Sequence, residues 1–241
     1  MTQEEALAVL KTGLNVFLTG EPGSGKTHTI NQYVTWLRER GIEPAVTAST
    51  GIAATHIGGY TIHSWSGIGI KNDISAYDIE MILSREKAAK RIIGAQVLII
   101  DEISMLDAAT LNSVDRVLRS LRRSVLMEER PFGGLQVIFV GDFFQLPPIS
   151  KNQDTKFAFE SEAWKEANPV ACYLNEQHRQ DDGEFLELLS AWRHGDLDTM
   201  HYEILEARIG KVPTKSVATR LYTHNANVDR VNADALAGIE G

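Results

Sequence analysis

Six side chains in this 241-residue sequence have the types and settings that phosphoryl chemistry requires: Lys26, Thr27, Asp101, Glu102, Gln145 and Arg179. The first two close the stretch Asn15-Val-Phe-Leu-Thr-Gly-Glu-Pro-Gly-Ser-Gly-Lys-Thr27. There an apolar run enters Gly20-x-x-x-x-Gly25-Lys26-Thr27, and helix-forming sequence follows. Between a strand and a helix, that spacing makes a phosphate cradle. Glycines let backbone N–H groups converge on phosphate oxygens, the helix N-terminus adds positive potential, and the lysine reaches the β- and γ-phosphates. The nucleotide-binding set is Gly20, Glu21, Pro22, Gly23, Ser24, Gly25, Lys26, Thr27 and His28, with the Thr27 hydroxyl placed to ligate Mg²⁺. The loop specifies what is bound, not what the energy is used for.

Val97-Leu-Ile-Ile-Asp101-Glu102 reads as a buried strand that ends in two acids. Asp101 can hold Mg²⁺, directly or through water, and Glu102 can act as general base on the attacking water. Two solvated acids opening a helix would be the bland alternative. The adjacent glutamate fits motor ATPases better than kinases or GTP-binding switches, and no Asn-Lys-x-Asp guanine-reading motif is present. A third strand runs into Gly141-Asp-Phe-Phe-Gln145-Leu-Pro-Pro148, which sets Gln145 near a γ-phosphate unless it is merely a surface residue. Arg179 follows a further strand and stands at the same sheet edge. An arginine on the γ-phosphate contributes about 10³–10⁵ in rate; a surface salt bridge in its place contributes under about 1 kcal/mol.

The segment from Val46 to Trp65 is dense in glycine, small hydroxyl and aromatic residues. Hydroxyls such as Thr50, Thr61 and Ser64, and helix N-terminal amides, suit phosphodiester contacts without sequence preference. Tyr60, His63, Trp65 and Phe144 could stack on bases, although Trp65 fits a core position equally well. The net charge of −8 argues against a global basic field, so any nucleic-acid contact must come from a local groove.

These residues need a framework, and the sequence supplies one. Strand-like runs at Val16–Thr19, Ala45–Ala48, Val97–Ile100, Val137–Val140 and Ala171–Leu174 alternate with helical patterns at Lys26–Arg40, Ile74–Ile93, Ala108–Arg123 and Glu184–His194. Near-continuous apolar strands alternating with helices predict a doubly wound parallel sheet. From Ala218 a new strand, Ala218–His224, and a new helix, Asn225–Ala237, are expected. A lone strand and helix cannot bury a core, so this reads as the opening of a second domain that continues elsewhere. The expected division is 1–215 and 216–241. Hydrophobic content of 43% and charged content of 23% are ordinary for a globular chain. No apolar run is long enough to span a bilayer, and the acidic N-terminus lacks a signal-peptide pattern. The single cysteine, Cys172, suits a reducing, intracellular compartment and reads as a buried, inert thiol. The seven histidines show no zinc spacing, so no structural metal is expected.

Thr47-Ala-Ser-Thr-Gly-Ile-Ala-Ala54, Gly59-x-Thr-Ile-His-Ser64, Gly141-Asp-Phe-Phe-Gln-Leu-Pro-Pro148 and His178-Arg-Gln180 together closely resemble the PIF-type, RecD-like helicases of superfamily one. The resemblance runs from Thr2 to about Leu236. It implies an α/β P-loop NTPase with a RecA-like parallel sheet, followed by the start of a second RecA-like domain. It also implies ATP and Mg²⁺ as cofactors and 5′ to 3′ movement on single-stranded DNA, with unwinding of DNA that carries a 5′ overhang. By motif, Gln3 would contact the adenine, and Gln145 and Arg179 the γ-phosphate. Thr50, Gly51, Thr61, His63, Ser64 and Phe144 would line the DNA path. A monomer is favoured, in a cytoplasm or nucleoid, a nucleus or a mitochondrion. The family's His-Lys-x-x-Gly and Ala-Leu-Ser-Arg strings, which belong to the second domain, are absent here, so the isolated chain would bind nucleotide but not unwind. A small-molecule phosphotransferase is the remaining alternative, but the sequence offers no second-substrate cluster for one.

Overall fold

Alternate residues of the central strands face opposite ways, and that places a core on each side of the sheet. In Val97–Asp101, Val97 and Ile99 join one buried cluster while Leu98 and Ile100 join the other. This is the period-two geometry of a strand covered on both faces. The computed structural model describes residues 1–71, 73–149, 155–175, 183–210 and 220–238.

Two compact units are present, Met1–Gly183 and Glu184–Gly241. In chain order the first contains α1 (Gln3–Leu10), β1 (Val16–Gly20), α2 (Lys26–Arg38), β2 (Ala45–Ala48), α3 (Gly51–His56), β3 (Tyr60–Thr61) and α4 (Ile62–Ser66). There follow α5 (Ala76–Leu83), α6 (Glu86–Gly94), β4 (Val97–Asp101), α7 (Ala108–Leu126), β5 (Gln136–Val140), α8 (Glu162–Ala167) and β6 (Val170–Leu174). The six strands form one sheet in the order β3-β2-β4-β5-β1-β6, and every pairing is parallel. Helices α1 and α2 cover one face through Ala6, Leu10, Ile30, Tyr33, Val34 and Leu37. Helices α4 to α8 cover the other. The five strands expected between Val16 and Leu174 are present, so the doubly wound parallel sheet is observed. The sequence reading missed β3, only two residues long, and the helices α1, α3, α4 and α8. Cys172 is fully buried on β6.

Two expectations need correction. The helix expected over Ile74–Ile93 is two helices, because Arg85 takes an extended conformation (φ −84°, ψ 96°) between α5 and α6. No glycine or proline marks the break. A buried arginine on α7 explains where α6 then stops. Arg122 donates to the carbonyls of Ile92, Ile93 and Ala95, the C-terminal turn of α6, and to that of Gly133. Carbonyls at a helix end need such donors. The strand expected over Ala218–His224 is not seen in its described part, since 220–224 are irregular.

The second unit contains α9 (Gly183–His194, which begins in the last residue of the first unit), α10 (Thr199–Glu206) and α11 (Asn225–Ala237). Helix α10 starts on Asp198, whose carboxylate accepts from the His201 N–H. The expected junction between residues 215 and 216 lies outside the described residues.

Candidate nucleotide site and strand interface

β1 delivers the chain to Gly20, and α2 begins at Lys26. Gly25 caps α2 in the left-handed conformation (φ 87°) and supplies no side-chain cap. The first amides of α2 are therefore not claimed by their own cap, which suits an anion. The Lys26 ammonium donates to the Gly20 carbonyl at 2.8 Å and the Glu21 carbonyl at 3.0 Å, so it curls over the loop. Ser24 is fully buried. The Gln3 carboxamide donates to the Ser24 carbonyl at 3.5 Å and lies against Gly25, which brings the first turn of α1 to the loop.

Two strands away, β4 ends in Asp101. Burial pushes this carboxyl up to about 6, against the stabilising N–H of Glu102, which donates to Oδ1 at 2.9 Å. A cation beside Asp101 would favour its charged form. Glu102 itself is held left-handed at φ 53° and ψ 44°, a region that costs a non-glycine residue energy and recurs at active sites. After β5, Asp142 is buried and organises the turn. It accepts from the Phe144 N–H at 3.1 Å and the Gln145 side chain at 3.2 Å. Phe143 points inward onto Phe17 and Phe159, with ring centroids 5.3 and 4.8 Å away, while Phe144 is 77% exposed.

These elements enclose a cavity of about 530 Å³. Pro22, Gly23, Gly25, Lys26, Thr27, Asp101, Glu102 and Gln145 line it, together with Ala53, His56 and Ile57. The last three, from α3 and its C-terminal cap, were missed by the sequence reading. No signal in the sequence marks them, because only the packing of α3 turns them toward the loop. His28 is not in this cavity; its ring nitrogen pairs with the Gln32 carboxamide at 3.1 Å along α2. Arg179 lies outside the described residues. The hydroxyls of Ser24, Ser49 and Ser104 are buried without a hydrogen-bond partner among the described residues. Ser49 donates its N–H to the Asp101 carbonyl, and Ser104 is two residues past Glu102. Each such hydroxyl costs about 1–3 kcal/mol.

The candidate strand contacts other than Phe144 lie in two turns, at the N-terminal ends of α3 and α4. Thr50 caps α3 by accepting from the Ala53 N–H at 3.2 Å, and Gly51 is exposed next to it. Gly59 closes the far end of α3 through its N–H to the Ala54 carbonyl. A Cβ there would stand 2.3 Å from the Val46 carbonyl oxygen, so only glycine fits. Thr61 caps α4 by accepting from the Ser64 N–H, and Ser64 is exposed. His63 is half-buried; burial pushes its pKa down, and Asp107 pulls it back up. Trp65 is 3% exposed, which settles it as a core residue and removes it from base stacking.

A parallel six-stranded sheet with a glycine-rich loop after β1 and acids at the tip of β4 defines an α/β P-loop NTPase of RecA-like form. The chain belongs to the PIF1-like helicase family, whose model matches residues 3–216. It is 47% identical over its whole length to the ATP-dependent DNA helicase Pif1 of Psychrobacter, covering 38% of that protein. It is 37% identical over 99% of its length to the human ATP-dependent DNA helicase PIF1, covering 37% of it. Among solved structures, Pif1 helicase from Candida albicans superposes with a TM-score of 0.86 at 37% identity, over 99% of this chain and 54% of that one. Pif1 helicase from Bacteroides, solved with ADP-AlF3 and single-stranded DNA, superposes with a TM-score of 0.78 at 31% identity, over 99% of this chain and 57% of that one. The chain thus spans somewhat over a third of these two curated relatives and about half of the solved ones.

Proposed function

We propose that this chain is the ATP-hydrolysing half of a DNA helicase motor that moves 5′ to 3′ along single-stranded DNA. Residues 1–215 form the first RecA-like domain and 216–241 the start of a second. One observation carries the reading. The short helix α3 lines the cavity of Lys26, Asp101, Glu102 and Gln145 with Ala53, His56 and Ile57, while its first turn holds Thr50 and Gly51 at the candidate strand face. The Bacteroides relative solved with ADP-AlF3 and single-stranded DNA supports both ligands.

In this mechanism the loop amides and Lys26 bind the β- and γ-phosphates, and Gln3 reads the adenine. Glu102 orients a water and takes its proton as the water oxygen attacks the γ-phosphorus and the bond from that phosphorus to the β,γ-bridging oxygen breaks, releasing ADP and phosphate. Gln145, tied to Asp142, senses the γ-phosphate, and Arg179 neutralises the charge that develops there. Thr27 and Asp101 line one cavity and would hold Mg²⁺ between them; the raised pKa of Asp101 fits a carboxylate whose ionised form awaits a cation. The bound ion would draw charge from the phosphates. DNA with a 5′ overhang is the substrate, and the motor works as a monomer inside the cell. The 241 residues alone bind nucleotide without unwinding.

The test is strand-dependent hydrolysis by the full-length protein. Lys26→Ala should lose ATP hydrolysis and unwinding and keep its fold by circular dichroism. Normal turnover in that variant, or turnover indifferent to single-stranded DNA in the unchanged protein, would overturn the assignment.

A further inference from the structure

Arg91 has an unusual environment. Its guanidinium is partly buried, it donates from Nη2 to the Ser64 carbonyl at 3.0 Å, and its centre lies 5.9 Å from the Tyr60 ring centroid. Its Nε is buried with no hydrogen-bond partner, and among the described residues no carboxylate pairs with it. Burial pushes its pKa down. A part-buried cation with an unused donor is costly unless an anion visits it.

The surroundings point the same way. Arg91 lines a pocket of about 410 Å³ with Arg38, Lys90, Tyr60 and Trp65. Arg38 is committed to Glu43 through a bidentate pair. Among the described residues Lys90 pairs with Glu86, more than three-quarters exposed on both sides, a pair which an incoming phosphate displaces at little cost. The Tyr60 ring is 58% exposed. Residues 85–91 carry Arg85, Lys87, Lys90 and Arg91 against Glu86 alone, a local excess of cations in a chain of net charge −8. A basic groove with an exposed ring is the usual construction for single-stranded nucleic acid.

We propose that single-stranded DNA passing the His63–Ser64 turn continues onto this pocket, with a base stacked on Tyr60 and the adjoining phosphate held by Arg91 and Lys90. The inference rests on the functional reading above and extends its DNA track along the outer edge of β2 and β3. Arg91 has a second task here, since its bond to the Ser64 carbonyl holds the turn in place.

Removing Arg91 would disturb that turn, so the test uses the exposed neighbours. Fluorescence anisotropy with the full-length protein would compare a short oligothymidylate, long enough only for the Thr50–Ser64 turns, with a longer one at several salt concentrations. Tyr60→Ala should weaken the longer oligonucleotide by roughly five- to a hundredfold, and Tyr60→Phe should restore it. Lys90→Gln should lower the slope of log affinity against log salt by about 1. The short oligonucleotide should bind all variants alike. If the longer oligonucleotide binds the variants as it binds the unchanged protein, the proposal is wrong. It is equally wrong if the variants lose only an acidic peptide offered as competitor. No DNA binding by the unchanged protein would overturn the functional reading, and this inference with it.

Discussion

The Gln3 carboxamide occupies the space where a side chain on Gly25 would begin: a Cβ on Gly25 would stand 2.2 Å from Gln3 Nε2. The first helix and the phosphate loop are thus fitted to each other through one missing methyl group. Gly25→Ala should cost about 1–2 kcal/mol for the left-handed backbone and push Gln3 out of place. Gln3→Ala should keep the fold and the phosphate contacts but lose about 1 kcal/mol of preference for ADP over GDP. Calorimetry with the two nucleotides reads both; an unchanged preference in Gln3→Ala would remove Gln3 from base recognition.

Glu102 carries backbone strain for its position. Glu102→Gln should lower hydrolysis by about 10²–10⁴-fold while ATP still binds. Glu102→Gly should be just as inactive yet more stable by up to about 1 kcal/mol, since glycine adopts φ 53° without penalty. Urea midpoints of the two variants decide the point; a glycine variant less stable than the glutamine one would mean that the conformation costs nothing.

Stability on the acid side should depend on His63. Its folded-state pKa lies below the ordinary value of about 6.5 because it is half-buried, with Asp107 opposing the shift. The unfolded chain therefore takes up this proton first. The contribution of His63 is present above about pH 6.5 and lost as pH falls through the lower folded-state value. His63→Gln should flatten the fall of Tm with acid. A profile of unchanged steepness would assign that fall to other groups.

Arg122 joins α7 to the end of α6 and the turn at Gly133 by donating to four buried or partly buried carbonyls. Arg122→Met should cost about 3 kcal/mol or more, because the carbonyls lose their partners. Arg122→Lys should recover only part of this, since an ammonium cannot span the same acceptors. Denaturant unfolding measures both; a lysine variant as stable as the original would show that charge suffices.

The sequence made legible whatever followed from one strand or one loop at a time. Val97–Ile100 is apolar throughout because both its faces are buried, and Gly20–Thr27 announces its ligand by spacing alone. Helix α1 was not anticipated, although Thr2 and Glu5, whose side chains form a reciprocal cap, carried a signal for it. What could not be read depended on packing between distant segments. Ile74–Ile93 keeps its apolar rhythm across a break that only the structure reveals. Trp65 could have faced a base or the core until its neighbours were placed. Phe143 and Phe144 look alike in sequence, yet one is anchored among aromatic rings and the other stands in solvent. His56 entered the site solely through the orientation of its helix.

That helix, α3, is only six residues long, about 9 Å from end to end. Thr50 fixes one end, and the tight approach of Gly59 to Val46 fixes the other. An object so short has almost no compliance of its own. Displacement imposed at Thr50 cannot be absorbed by bending along the way and must reappear at His56 and Ile57, in the cavity of Lys26 and Asp101, at nearly full amplitude.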